Sequence, residues 1–201
     1  MKKVLNVGGN SKAIPLPPQY ADFEHVLLDI DEKVSPDILC DARELNTLEA
    51  GQFDAVYCSH NLEHYYRHEV PKVLKGFLHV LKPEGFAHII VPNIQEAMKY
   101  VVTRNLDIDD VLGISPRGPI TLHDMLYGYT VELERSNQEF FAHKTGFSQK
   151  SLAAAVEKAG FKMIFLIAKD GPNASVLAFK SVPTQSARES FNLPSDLSPR
   201  L

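Results

Sequence analysis

At 201 residues, with 44% hydrophobic and 23% charged residues, the chain has the make-up of one globular domain. A chain of this length buries roughly 70% of its unfolded surface and needs no covalent staples. Cys40 and Cys58 are its only cysteines and form no CxxC pair, which argues against a disulfide framework, a zinc knuckle or a redox centre. A net charge of -4 removes the electrostatic case for a nucleic-acid partner, since neutralising phosphates takes a basic surface. Residues 1–10 carry two lysines and then an apolar run broken by Asn6, too short for a signal-peptide core or a membrane span. The expectation is a cytoplasmic protein with no membrane contact.

In chain order, residues 3–7, 25–30, 53–58 and 86–91 are short apolar runs bounded by Gly, Pro, Asp or Asn, and they read as strands buried on both faces. The first crossover holds Pro15, Pro17 and Pro18, which forbid a normal helix over most of residues 11–23. Residues 22–54 hold ten acids against two bases, a local balance of -8, and mark the first place to look for a cation or a polyhydroxyl ligand. Over residues 69–81, Val70, Val73, Leu74, Phe77, Leu78 and Leu81 repeat at three and four, the stripe of an amphipathic helix. Lys82-Pro83-Glu84-Gly85 stops it. Residues 93–146 interrupt the alternation without a clear strand and read as a helical cap inserted over one end of the sheet. Ser148 then suits an N-cap for a helix with Leu152, Ala155, Val156 and Ala159 on one face and Gly160 at its stop. Two strands, residues 161–168 and 174–180, flank the Asp170-Gly171-Pro172-Asn173 turn as a hairpin. Residues 181–201, rich in Ser and Pro, read as a disordered tail after a single domain over 1–180. The pattern predicts an α/β doubly wound, mainly parallel sheet with one antiparallel strand and a helical insertion.

In such a sheet, ligands sit beyond the carboxyl ends of the strands where the strand order reverses. Gly8 and Gly9 follow the first strand and let backbone approach a ligand closely, or simply make a tight turn. Asp29 ends the second strand about twenty residues on, where a carboxylate accepts both hydroxyls of a ribose. Asp31 is the nearby substitute for that role. Asp41 follows the next apolar step and either accepts from an exocyclic amine, with the Ala42 backbone N–H facing a ring nitrogen, or caps the turn that follows.

Taken together, these positions resemble the class I S-adenosylmethionine-dependent methyltransferases, over about residues 3–180. Val4-Leu5-Asn6-Val7-Gly8-Gly9 is similar to the glycine-rich first motif, Leu28-Asp29-Ile30-Asp31 to the ribose-binding acid, and Cys40-Asp41-Ala42 to the adenine-contacting segment. The run from Phe53 through His60-Asn61-Leu62-Glu63-His64 is similar to the fourth-strand motif. Leu81-Lys82-Pro83-Glu84-Gly85 is similar to the turn before strand five, and His143-Lys144-Thr145-Gly146-Phe147-Ser148 with Ala159-Gly160-Phe161 to the family's ending. The resemblance implies a Rossmann-like sheet of the seven-stranded type and S-adenosyl-L-methionine as cofactor. It assigns Asn6, Gly8, Gly9, Asp29, Asp31, Asp41, Ala42 and Ser59 to cofactor binding. Asn6 stands where many members carry an acid, and a neutral acceptor holds the cofactor's ammonium less tightly: roughly 1 kcal/mol against 1.5–3, about tenfold in affinity.

His60-Asn61-Leu62-Glu63-His64 also spells H-x-x-E-H, a metallopeptidase pattern with two histidines as ligands and the glutamate as base. With no downstream glutamate identifiable as third ligand, no metal is expected, and Glu63 and His64 are expected to fix the following turn. The expected function is methyl transfer to an O or N acceptor of a small-molecule or carbohydrate-like substrate, with His60, His143 and His123 as candidate general bases. The alternative is a noncatalytic descendant of the fold that binds a nucleotide or a partner.

Overall fold

In the computed structural model of the protein, which describes residues 1–115, 118–167 and 172–193, the short apolar runs become the strands of one sheet. Strands β1 (Lys2–Val7), β2 (Phe23–Asp29), β3 (Ile38–Leu39), β4 (Phe53–Ser59) and β5 (Leu81–Pro92) pair in parallel. The later strands β8 (Met163–Leu166) and β9 (Asn173–Phe179) close the sheet, with β9 antiparallel to both neighbours. The order is β3-β2-β1-β4-β5-β9-β8. Residues 82–85, expected to stop a helix, form a bulge in β5, where the register slips between Phe53 and Ala55.

One face of the sheet is covered by α1 (Val70–Val80) and α5 (Gln149–Ala159). Val73, Leu74, Phe77, Leu152 and Val156 from these helices are buried against Leu5, Val56, Ile89 and Val176. The ends of α5 follow the local chemistry: Ser148 accepts from the Ser151 N–H in a capping box, and Gly160 takes φ +115 at the stop.

The opposite face lacks a crossover helix, as the prolines require. Tyr20, from the 3₁₀ turn Pro18–Tyr20, plugs it instead and packs on Phe23, Tyr57 and Phe86. This bare face corrects the expectation of a tail disordered from 181. Residues Gln185–Ser190 form α6, and beyond it Phe191 packs edge-on against Phe86 with centroids 5.0 Å apart, alongside Leu193. Residues 194–201, and Ala168, Asp170 and Gly171 of the expected hairpin, lie outside the described residues.

The cap over the carboxyl ends of the strands is not purely helical. It holds α2 (Ile94–Arg104), a two-stranded antiparallel pair β6 (Val111–Ser115) and β7 (Gly118–Thr121), α3 (Leu122–Tyr127) and α4 (Thr130–Ser136). A small core of Ala97, Leu122 and Met125 joins α2 to α3. Among the described residues no helix is long and apolar enough to cross a membrane.

Candidate functional site

The chain runs from β1 outward to β2 and β3, then returns to the other side of β1 for β4 and β5, so the strand order reverses between β1 and β4. A cleft opens there, lined by Gly8, Asn10, Asp29, Asp31, Asp41 and Arg43 on one side, and by His60, Asn61, His64 and Tyr65 on the other. Phe140, Phe141 and Lys144 of the cap roof it. Its volume is about 130 Å³.

Asp29 is 8% exposed at the tip of β2. Its Oδ2 accepts from the Asn10 N–H (3.1 Å) and its Oδ1 from the Asp31 N–H (3.1 Å), which fixes the carboxylate and leaves each oxygen a further lone pair. The Asp31 side chain caps the turn Glu32–Val34 by accepting from the Lys33 N–H. Gly8 takes φ +68, and a Cβ there would collide with the Asn61 amide, so only glycine allows Asn61 to lie against the β1 turn. The Asn61 Oδ1 is buried without a hydrogen-bond donor among the described residues.

Other expected cofactor contacts are engaged elsewhere. Asn6 is buried and its Nδ2 meets His25 Nε2 at 3.0 Å, while its amide packs against Gly9. Asp41 follows the capping alternative: it accepts from the Arg43 N–H (2.9 Å) and holds the Arg43 guanidinium through both oxygens, the shortest contact being 2.6 Å. Arg43 then reaches Glu69 at 2.6 Å. Burial pushes the Asp41 carboxyl up, but the Arg43 hydrogen bonds and charge outweigh it and hold the group below its ordinary value. Ala42 is buried in the core beneath this turn. Ser59 ends β4 and is not among the residues that line the cleft.

Of the three candidate bases only His60 lines the cleft. It sits at φ +52 with half its side chain exposed, Nδ1 lying 3.6 Å from Glu63 Oε1. His143 stands behind, its Nδ1–H donated to the Met125 carbonyl at 2.9 Å and its Nε2 3.9 Å from Glu63 Oε1. Burial lowers its pKa from the ordinary histidine value. His123 belongs to the cap, against Thr130 Oγ1 (3.2 Å) and the Tyr127 ring.

His64, expected only to fix the turn, lines the cleft, and its Nδ1–H is donated to the Ala142 carbonyl of the cap at 3.1 Å. The Glu63 carbonyl accepts from the Lys144 and Thr145 N–H groups, tying the end of the cap to the turn Leu62–His64. Sequence reasoning missed Asn61, Arg43 and the Phe140–Phe141 pair as cleft residues. Asn61 carried a signal, being inside the quoted motif, and so did an aromatic pair close before the return to the sheet.

Residues 7–89 match the family of the methyltransferase domain. A SAM-dependent methyltransferase from Archaeoglobus fulgidus superposes with a TM-score of 0.54 at 16% identity, covering 89% of this chain and 86% of that one. The fold is that of the class I S-adenosylmethionine-dependent methyltransferases. A SAM-dependent methyltransferase from Thermotoga maritima gives 0.55 at 13% identity, over 90% of this chain and 83% of that one. PigF, in a structure with SAH, gives 0.54 at 12% identity over 90% of this chain and 50% of that one. No curated protein matches the chain in sequence. On this methyltransferase fold, the cleft occupies the crevice where strand order reverses.

Proposed function

We propose that the protein is an S-adenosylmethionine-dependent methyltransferase acting on an O or N acceptor of a small-molecule or carbohydrate-like substrate. The observation that carries the reading is Asp29: a carboxylate fixed by two backbone N–H groups at the tip of β2, beside Gly8 and Asn10 in the crevice of a methyltransferase fold. The groups present fit the cofactor in two places. Asp29 has lone pairs for two sugar hydroxyls, and the donorless Asn61 Oδ1 suits an ammonium. When bound, S-adenosylmethionine supplies a methyl already activated by its sulfonium. What remains for the chain is alignment, exclusion of water under Phe140 and Phe141, and acceptance of a proton at His60, whose position on the cleft wall favours it over His143 and His123.

Calorimetry with S-adenosylmethionine and S-adenosylhomocysteine tests the reading, and the absence of both heat and thermal shift at millimolar ligand rejects it. Asp29→Ala should weaken binding at least tenfold, the loss of a hydrogen-bonded pair of hydroxyls. Unchanged affinity moves the sugar contact to Asp31. A second reading, a noncatalytic binding protein, is favoured by Asp41, whose oxygens are both held by Arg43, and by Asn6, which faces His25. That reading expects nucleotide binding without methyl transfer to any acceptor.

A further inference from the structure

At the cleft wall and behind it, a buried carboxylate and two histidines lie together. Glu63 is 1% exposed, and among the described residues neither oxygen of its carboxylate has a partner within 3.5 Å, His60 Nδ1 lying 3.6 Å from Oε1. His64 and His143 each donate Nδ1–H to a backbone carbonyl, Ala142 and Met125 respectively. A carbonyl cannot donate, so in each neutral ring Nε2 carries the lone pair. One ligand atom from each of Glu63, His64 and His143 lies within 4.8 Å of the others. The buried carboxylate is the group that needs a partner, and a cation held between it and the two rings would supply one.

The donor set also selects the ion. Two imidazole nitrogens and one carboxylate suit zinc and its neighbours rather than magnesium or calcium, which take oxygen ligands. Histidines oriented by donating the other ring N–H to a carbonyl are the usual support of such ligands. Metal–ligand bonds of about 2.0–2.2 Å require the three groups to close by roughly 1 Å.

We propose that Glu63, His64 and His143 bind a divalent transition-metal cation of the zinc class, its fourth position turned toward His60 and the cleft. His60, with Nδ1 3.6 Å from Glu63 Oε1 on the cleft side, borders that position without filling it and leaves it to water or to an oxygen of a bound ligand. The arrangement differs from the peptidase reading of H-x-x-E-H. Glu63 is a ligand instead of a free base, and the third ligand is a histidine delivered by the end of the cap. Cation binding here is independent of the cofactor, so calorimetry with S-adenosylmethionine can fail without touching it.

The test is metal content and affinity of the full-length protein. Protein purified without chelator, or stripped and reloaded with Zn²⁺, should hold one zinc per chain by elemental analysis. Co²⁺ loading should give visible d–d absorption bands. Competition against a chromophoric zinc indicator should show affinity reduced at least 100-fold in Glu63→Gln and in His143→Gln, each verified as folded by circular dichroism. Substoichiometric zinc and cobalt in the wild type overturn the proposal. So does a zinc affinity in the folded Glu63→Gln or His143→Gln variant within tenfold of the wild type, which would place the ion on other histidines.

Discussion

The buried Asn61 amide oxygen has no donor, although leaving a buried acceptor unmet costs about 1–3 kcal/mol. If a ligand ammonium meets it, Asn61→Ala should lower affinity for S-adenosylmethionine about tenfold or more while leaving that for adenosine, which lacks the ammonium, unchanged. Parallel titrations calorimetrically compare the two, and an equal loss for both would assign Asn61 to packing against Gly8. Arg43 poses a different question, because it neutralises Asp41 and Glu69 together. Hydrogen bonds from Arg43 come first among the causes that hold Glu69 below its ordinary value, and at Asp41 they overcome the upward push of burial. Carboxylates with depressed folded values stabilise above their unfolded pKa and lose that contribution as pH falls through the folded one. Arg43→Ala should therefore cost about 1 kcal/mol at pH 7, a modest figure because its side chain is 39% exposed. The difference from wild type should shrink as pH drops below about 4, in urea unfolding at pH 7 and pH 3. A constant difference would mean the guanidinium acts through packing. At this scale the sequence shows which residues bear chemistry but not which face one another. Asp41 and Arg43 are two apart and readable as a cap, whereas His143 reaches Glu63 only because the whole cap returns to the turn after β4.

Elements differ in how much local pattern they carry. Of the parallel strands, β1, β2, β4 and β5 were legible because each is an apolar run bounded by breakers, the two-residue β3 was not, and α1 and α5 were because burial imposes a stripe of period three to four. The pair β6 and β7 was not, since its residues are half-exposed or exposed and lack alternation. Nor was α6, a six-residue helix whose apolar partners, Phe191 and Leu193, follow its end. Its reason for existing is non-local: the proline-filled crossover leaves Tyr20 and Phe86 uncovered, and the C-terminal segment supplies the missing layer. Phe191→Ala should accordingly cost about 1–3 kcal/mol, the burial of an aromatic body plus its ring contacts. Denaturant unfolding measures this, and a change within 0.5 kcal/mol, the usual effect at an exposed site, would return the segment to the status of a loose tail.

For the molecule as a whole, the cleft is too small for the reading placed on it unless the cap moves. Its 130 Å³ falls short of the roughly 300–1,000 Å³ of ordinary small-molecule sites, and its roof is made by Phe140 and Phe141 on the 3₁₀ turn Glu139–Phe141. This roof is anchored by the Glu63 carbonyl with Lys144 and Thr145, the Ala142 carbonyl with His64, the Tyr127 carbonyl with the His143 N–H, and the Met125 carbonyl with His143 Nδ1. The sheet below has no such freedom, because its strands are paired on both sides through the crevice. If the cleft admits the cofactor, residues 139–142 have to lift, and the apparent association rate is then reduced by the rarity of the lifted conformations. Replacing both rings, Phe140→Ala with Phe141→Ala, removes the roof without touching Asp29 or Asn61. Surface-plasmon kinetics with S-adenosylhomocysteine should show association at least threefold faster than in the wild type. Dissociation should rise as well, since the same rings exclude water and hold the ligand in. Slower association, with dissociation unchanged, would place the entrance elsewhere and make the two rings part of the binding surface.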